Sequence, residues 1–204
     1  MKINVKNNNT YIKRIISINK YKHKIPLFYN FIIILFIIYI KVFNAYQEIK
    51  IIINGTDTQQ ILNNEYFNGG EPNQILINGI LQNYTDYFIY NLTENNNVIT
   101  MRWDIKLTSC NYMFEDLKNI TEFDFSNFDT SKVEGMHWMF YGLNSLKILD
   151  LSNFNTSSVT NMDGMFYECY SLVSLNLNNF DTSNVENMDS MFAYLNSLIT
   201  IRFK

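Results

Sequence analysis

The 204-residue chain has few of the residues that build cofactor and metal sites: two cysteines, two histidines and seven glycines. The glycines form no phosphate-binding loop, and the Cys and His residues have no metal-ligand spacing. His23 lies in a basic segment, and His137 is expected to be a surface side chain. The sequence therefore predicts no cofactor, no metal and no enzymatic activity.

Basic residues are scarce in the second half of the chain. Residues 111–204 carry five Lys or Arg and twelve Asp or Glu, whereas residues 1–50 carry nine and one. Because nucleic-acid binding depends on Lys and Arg contacts to phosphates, the acidic half argues against a nucleic-acid partner.

Long apolar runs are absent except at residues 27–40, which read LFYNFIIILFIIYI after a basic head at residues 1–24. This order is typical of a secretory signal peptide or a signal anchor with a cytoplasmic N-terminus. A full span needs roughly 20 apolar residues, so the length favours a signal within 25–45 that is cleaved after Ala45. A retained anchor, with membrane contact through residues 27–40, and a buried core helix are the alternatives.

Both leading alternatives place residues 46–204 outside the cytoplasm, either secreted or at the cell surface. Five Asn-x-Ser/Thr sequons follow residue 45 and are candidate glycosylation sites if the chain enters a glycosylating compartment. They begin at Asn54, Asn83, Asn91, Asn119 and Asn155.

Residues 113–204 consist of about three and a half copies of a 26-residue repeat, of which residues 139–164 (MFYGLNSLKILDLSNFNTSSVTNMDG) are one. Apolar positions recur in every copy, and the alternation in Leu149-Asp150-Leu151 predicts a short strand. The segment MFYECYSL predicts a helical or 3₁₀ turn. Together these features predict an α/β repeat solenoid, a right-handed leucine-rich-repeat-like coil stack with short parallel strands.

Residues 46–112 are irregular, and four segments in them predict strands: 49–53, 74–77, 88–90 and 98–103. We expect this block to be an N-terminal β-rich cap in which Trp103 seals the first repeat. A separate small β-rich binding domain is the alternative. The opposite end carries no such block, so its edge could pair with a second copy of the protein.

Cys110 and Cys169 occupy apolar positions of the repeat pattern and lie about 2.3 repeats apart. At a strand spacing of about 4.8 Å this separation is roughly 11 Å, longer than the Cα distance of a disulfide. Two buried free thiols are therefore predicted.

Polar side chains that alternate with the apolar strand positions form the candidate binding face. Its residues are Glu122, Asp124, Lys147, Asp150, Ser174, Asn176, Thr200 and Arg202. Asp124 and Asp150 stack in one column, as a glycosidase pair could, but the column continues as Asn176 and Arg202. A second polar ladder, at residues 127–129, 153–155 and 179–181, is better explained by side-chain bonds within turns than by calcium binding.

The segment LDLSNFNTSSVTNMDGMFYECYSL resembles the repeat of BspA-like leucine-rich-repeat surface proteins, and TMRWDIKLTSCNYMF is similar to their lead-in. The resemblance implies export, a solenoid fold, and surface attachment or binding of a partner protein or glycan, without catalytic residues. The first hypothesis is thus a non-catalytic adhesion or binding protein. A self-assembling structural surface protein and an extracellular hydrolase are the alternatives.

Overall fold

The computed structural model describes residues 32–35, 46–63, 68–83 and 88–203. The chain divides into two compact units, Met1–Asn44 and Ala45–Lys204. In the first unit, residues 32–35 are helical; the basic head and the rest of the predicted signal segment lie outside the described residues. Within these ranges no helix is long and apolar enough to cross a membrane, so the transmembrane helix predicted at residues 27–40 is not found among the described residues.

The second unit is built from β-strands. In chain order they are β1 (Gln47–Asn54), β2 (Asp57–Gln60), β3 (Gln74–Ile77), β4 (Ile80–Leu81), β5 (Ile89–Leu92), β6 (Asn96–Trp103), β7 (Ile120–Asn127), β8 (Ile148–Leu149), β9 (Ser174–Asn176) and β10 (Thr200–Arg202). The largest sheet has the order β4-β3-β6-β1-β7 and is antiparallel throughout. A parallel sheet β10-β9-β8 and an antiparallel pair β2-β5 complete the described strands.

The strands predicted in residues 46–112 are confirmed. In β1 the side chains at 47, 49, 51 and 53 are buried, and those between them are partly exposed, as expected for a strand with one face on the core. β1 lies between β6 and β7, so the first repeat enters the sheet of the N-terminal block directly. Trp103 is fully buried, donates its Nε1 hydrogen to Gly70 O at 2.8 Å and packs near Phe128, as predicted.

Successive repeats contact each other through backbone hydrogen bonds and side-chain ladders. Isolated parallel bridges join Ser109, Gly135, Asn161 and Asn187, each 26 residues after the last. The rings of Phe114, Phe140, Phe166 and Phe192 stack with centroids 6.2, 5.8 and 6.1 Å apart. The apolar positions predicted to face the core are buried in the first two copies and as far as Leu177 in the third. From Phe180 onward they are partly exposed, and Met188 and Phe203 are exposed.

The predicted fold class, an α/β leucine-rich-repeat solenoid, is wrong. The protein is β-rich, its largest sheet is antiparallel, and residues 46–63, 68–83 and 88–203 contain no α-helix. Residues 165–172, predicted to form a helical or 3₁₀ turn, form hydrogen-bonded turns and no α-helix.

Hydrogen bonding explains why a helix does not form in the repeats. Alternate N–H groups of this segment donate to the next repeat, as Phe166 N does to Met191 O at 3.1 Å and Glu168 N to Ala193 O at 3.1 Å. These N–H groups are then unavailable for bonds four residues back along their own turn. Glu168 also has a φ of 57°, which a right-handed helix does not allow.

Both cysteines are buried and unpaired, as predicted. Burial raises the pKa of Cys110, and it raises the pKa of Cys169 to about 12. The Cys169 thiol donates to Phe140 O at 2.9 Å. These thiols therefore act as small core side chains.

Candidate binding face

The side chains predicted to form the binding face point outward from strands whose alternate residues are buried. Seven of the eight are exposed and Ser174 is half-buried. Leu149 lies between Lys147 and Asp150 and is 4% exposed, and Leu175 lies between Ser174 and Asn176 and is 2% exposed. Because β8, β9 and β10 pair in register, Ser174 lies beside Thr200, and Asn176 lies beside Arg202. The structure therefore brings these four predicted face residues together.

The face continues into the N-terminal block, which the sequence analysis missed. Arg102 Nε lies 2.6 Å from Glu48 Oε2, and Lys50 Nζ lies 3.0 Å from Glu48 Oε1 and 3.5 Å from Asp124 Oδ2. The outward alternation of β1 was visible in the sequence. Its pairing with β6 and β7, which places these charges in one row, was not.

These ion pairs set the protonation of the row. Burial alone would raise the pKa of Glu48, but the hydrogen bonds from Arg102 and Lys50 outweigh it and lower this pKa. Burial also opposes charge on Lys50, yet Glu48 and then Asp124 raise its pKa. Glu48 and Lys50 therefore remain charged over the neutral range.

A groove of about 650 Å³ crosses the face between β7 and β8. These strands belong to different sheets, since β7 pairs with β1 whereas β8 pairs with β9. The β1–β7 register shifts twice, at Glu48/Lys50 and at Ile52/Ile53. Such irregularities bend and twist a strand, which accounts for the separation of β7 from the next repeat.

The groove is acidic at its rim. Its lining includes three acidic side chains, Glu122, Asp124 and Asp150, and one basic side chain, Lys147. Among the residues that the structure describes, Glu122, Lys147 and Asp150 make no ion pair. Ile148, 70% exposed, adds an apolar contact in the same groove.

Asp124 and Asp150 have closely similar surroundings. Each accepts the backbone N–H two residues on, from Ser126 and Ser152, at 2.9 Å. The pKa of Asp150 is lowered by the hydrogen bonds from Ser152; that of Asp124 is also lowered, since its bonds from Ser126 and the charge of Lys50 outweigh burial. A glycosidase needs one carboxyl with a raised pKa, and neither has one.

The second polar ladder forms turn bonds, as predicted. Asn179 Nδ2 donates to Leu151 O at 2.9 Å and to Phe154 O at 2.7 Å, one repeat back. Asp129 and Asp181 accept N–H groups within their own turns. In the described ranges no group of three or more His, Cys, Asp or Glu side chains could hold a metal ion.

His137 is less exposed than the sequence suggested. It is half-buried, and its ring meets Tyr112 edge-on at 4.5 Å. Its Nδ1 is buried and has no hydrogen-bond partner among the described residues. Burial lowers its pKa, against the opposing charge of Asp163. The imidazole is therefore neutral at physiological pH and is part of an aromatic cluster.

The asparagines of the five sequons all have exposed side chains. Asn155 is held in a turn, because its Oδ1 accepts from Ser157 N at 3.0 Å and from Ser157 Oγ at 2.7 Å. Asn119 Nδ2 donates to Gln59 Oε1 at 2.8 Å. Because an N-linked glycan is attached at Nδ2, a glycan on Asn155 would leave these Oδ1 bonds in place, and one on Asn119 would replace one of the two Nδ2 hydrogens.

Comparison with known proteins identifies a family for this chain but no individual relative. No curated protein and no solved structure matches the chain. Residues 84–200, more than half of the sequence, match the family described as "Mycoplasma protein of unknown function, DUF285". These residues include β6, β7, β8 and β9 and the first residue of β10. The chain therefore belongs to the DUF285 family.

Proposed function

We propose that the protein is a non-catalytic binding protein, secreted or exposed at the cell surface, that recognises a partner protein or glycan through the candidate binding face. The observation that carries the proposal is the charged row that runs from Arg102 to Asp150 and is broken by a groove. A row that served only solubility would not need ion pairs spanning three strands. The groove adds a concave contact area with unpaired charges.

The repeat pattern supports the same proposal. The matched family is associated with BspA-like surface repeat proteins, and residues 98–204 of this chain resemble their repeat and its lead-in. We infer the surface location from that resemblance and from the five exposed sequons. Because the recurring positions of the repeat are structural rather than catalytic, the resemblance supports adhesion or partner binding in particular.

The test removes charge from the groove without breaking its turns. Asn176 occupies the position of Asp150 one repeat later and accepts Asn178 N at 3.2 Å, so Asp150→Asn preserves the turn. The double variant Glu122→Gln/Asp150→Asn is compared with wild type on an array of extracellular proteins and glycans. Glu134→Gln/Glu186→Gln, which changes two exposed acids outside the face, is the matched control.

We expect saturable binding of the wild-type chain to one class of target, retained by the control and reduced at least tenfold in the groove variant. All three proteins should melt at the same temperature within about two degrees, because surface substitutions rarely change stability by more than about 0.5 kcal/mol. Saturable binding that the groove variant retains in full would place the contact elsewhere and refute the proposal.

Exposed apolar side chains favour self-assembly as a second candidate function. β10 is an edge strand of the parallel sheet, and beside it Ile199 is 83% and Phe203 59% exposed. Tyr194, 57% exposed, lies in the same repeat. Unpaired edges and contiguous apolar side chains promote pairing with another chain.

Sedimentation velocity over a hundredfold range of concentration tests this alternative. Self-assembly predicts a rising mean mass that Ile199→Lys abolishes. Val173→Lys, at the equivalent position one repeat earlier, is the matched control and should leave the mass unchanged. A constant monomer mass at all concentrations would eliminate the alternative.

A further inference from the structure

Five aromatic side chains form a continuous row on the turns of the repeats. They lie outside the strands that carry the binding face. This aromatic ridge consists of Tyr112, Trp138, Tyr141, Tyr167 and Tyr194. Neighbouring ring centroids lie 6.3 Å apart for Tyr112–Trp138, 4.8 Å for Trp138–Tyr141, 5.6 Å for Trp138–Tyr167 and 5.2 Å for Tyr167–Tyr194. Tyr194 is 57% exposed and the others are half-buried, so the ridge reaches the surface.

Three of these rings stand at strained backbone positions. The repeat requires a positive φ at two positions in each copy. At the first, φ is 61° for Tyr112, 57° for Trp138, 56° for Gly164 and 54° for Ser190; at the second it is 59° for Asp116, 70° for Gly142, 57° for Glu168 and 60° for Tyr194. Glycine suits this conformation, and bulky side chains rarely adopt it. Strain of this kind is concentrated at functional sites, which directs attention to the rings.

The next repeat leaves space for the Trp138 ring. A Cβ on Gly164 would lie 2.9 Å from Trp138 Nε1 and 3.1 Å from two carbons of the same ring, so one ring face covers this glycine. Trp138 Nε1 donates to Asp163 Oδ2 at 3.3 Å. The indole is thus fixed by a carboxylate and stacked on Tyr167 with an angle of 18° between the planes.

Carboxylates surround the ridge. Glu115, Asp116 and Glu168 are close enough to Tyr141 that, after burial, their charges raise its pKa. Asp163 bonds Trp138, and Lys118 pairs with Asp116 at 3.1 Å. Among the residues that the structure describes, four carboxylates against one lysine leave the ridge with an excess of negative charge. Electron-rich ring faces attract cations, so rings and carboxylates favour the same kind of ligand.

We propose that the aromatic ridge is a second binding site, which takes arginine side chains of an extended segment of a partner protein. A guanidinium can stack on a ring face while its N–H groups donate to a carboxylate such as Asp163 or Glu168. An ammonium lacks the planar stacking surface, and a neutral sugar gains nothing from the excess charge. The site is independent of the groove between β7 and β8, so it extends the proposed function to a second contact.

Isothermal titration of the full chain with short peptides tests the proposal. The probes are Gly-Arg-Gly-Arg-Gly with blocked ends, the same peptide with lysine, and the same peptide with citrulline, which is planar but neutral. Salt is held at about 150 mM to screen non-specific attraction. Trp138 is also a reporter, because the only other tryptophan, Trp103, is fully buried.

We expect the arginine peptide to bind and change the fluorescence of Trp138, the lysine peptide to bind at least threefold more weakly, and the citrulline peptide not to bind. Trp138→Leu should lower the affinity for the arginine peptide about tenfold, whereas Trp138→Phe, which keeps a ring face, should lower this affinity less. Tyr194→Asn provides a variant that folds readily, because Asn tolerates positive φ; it should weaken binding a few-fold with an unchanged melting temperature.

The groove variant Glu122→Gln/Asp150→Asn is the control and should bind the arginine peptide like wild type. Equal affinity for arginine and lysine peptides, lost in the groove variant and not in Trp138→Leu, would overturn the proposal and assign the effect to the binding face. No binding of any peptide, or binding of a neutral oligosaccharide that Trp138→Leu abolishes, would also overturn it. Neither result bears on the array measurement, so the two proposals fail separately.

Discussion

The N-terminal block and the repeats are both β-structures, but they are stabilised in different ways. β1 and β6 pair over eight residues each, so the block gains a long antiparallel ladder of hydrogen bonds. The repeat strands β8, β9 and β10 pair over two or three residues. Their repeats rely instead on turn-to-turn hydrogen bonds and on stacks of like side chains. In the repeats, a single side chain therefore supports two neighbouring copies.

β7 belongs to both regions. It is the strand of the first repeat by sequence, yet it has the length and antiparallel pairing of the block. Asp129, just after β7, connects the regions further, because its N–H donates to Gln47 Oε1 at 2.6 Å and its carboxylate pairs with Lys106. The groove lies between β7 and β8, where pairing with the block ends and pairing within the repeats begins.

The largest effect is expected from the phenylalanine ladder. Phe140 is fully buried between Phe114 and Phe166 and contacts three further rings. Phe140→Ala should lower the free energy of unfolding by about 3–5 kcal/mol, measured by chemical denaturation. Phe192→Ala, at the half-buried end of the same ladder, is the matched control and should cost less. Equal losses would show that the ladder does not act through both neighbours.

A buried hydroxyl joins the turns of adjacent repeats. Thr156 is 1% exposed; its Oγ1 donates to Asp181 O at 3.0 Å and accepts from Asp181 N at 2.8 Å. Thr156→Val keeps the shape and removes both bonds, so we expect a loss of about 1–3 kcal/mol in urea denaturation. Thr182→Val, at the exposed equivalent position, should change stability by less than about 0.5 kcal/mol. If Thr156→Val left the free energy of unfolding unchanged, the repeats would be stabilised by apolar contacts and not by this hydroxyl.

The charged row of the block should contribute less. Glu48→Gln removes the charge that Arg102 and Lys50 share and should cost about 1–2 kcal/mol at pH 7, since hydrogen bonds to charged groups are worth about 1.5–3 kcal/mol and these groups are partly exposed. Because the folded pKa of Glu48 is lowered from 4.5, this stabilisation is present above pH 4.5 and is lost as the pH falls through the folded value. Thermal unfolding at pH 7 and pH 3, with Glu94→Gln as an exposed control, measures the difference.

The smallest effect is expected at the junction of the two regions. Hydrogen bonds from Lys106 and Ser131 lower the pKa of Asp129 from 3.8 to about 2. Asp129→Asn keeps the turn and removes the ion pair, so a loss of up to about 1 kcal/mol is expected above pH 4. The loss should shrink as the pH falls from 4 through 2, because wild-type Asp129 then becomes protonated as well. A loss that persisted unchanged at pH 2 would exclude the ion pair as its source.

The sequence predicted the pattern of burial more reliably than the fold class. Alternation in residues 98–103 and the recurring phenylalanines indicated which side chains face the core, and the structure confirms those through the first repeats. The predicted helical component was wrong. Its apolar spacing is compatible with a helical turn, and only the neighbouring repeat, which takes the N–H groups of Phe166 and Glu168, excludes one.

The candidate face was predicted in part for the same reason. Outward positions such as Asp150 and Asn176 follow from period-two alternation within a strand. Glu48, Lys50 and Arg102 were missed because their contact depends on which strands pair, and antiparallel pairing between residues about 50 to 80 positions apart leaves no local signal. The aromatic ridge was missed because its five rings are spread over three repeat positions.

By itself, the sequence determined the 26-residue period, the side chains of each ladder and the acidic character of the repeats, because these depend only on residue identity and spacing. The tertiary structure alone decided that β7 pairs with β1 rather than with β8. That choice joins the block to the repeats, leaves the groove open and places Lys50 beside Asp124. Strand pairing is a competition between distant partners, and the energy that decides it comes from the register and packing of the assembled sheet.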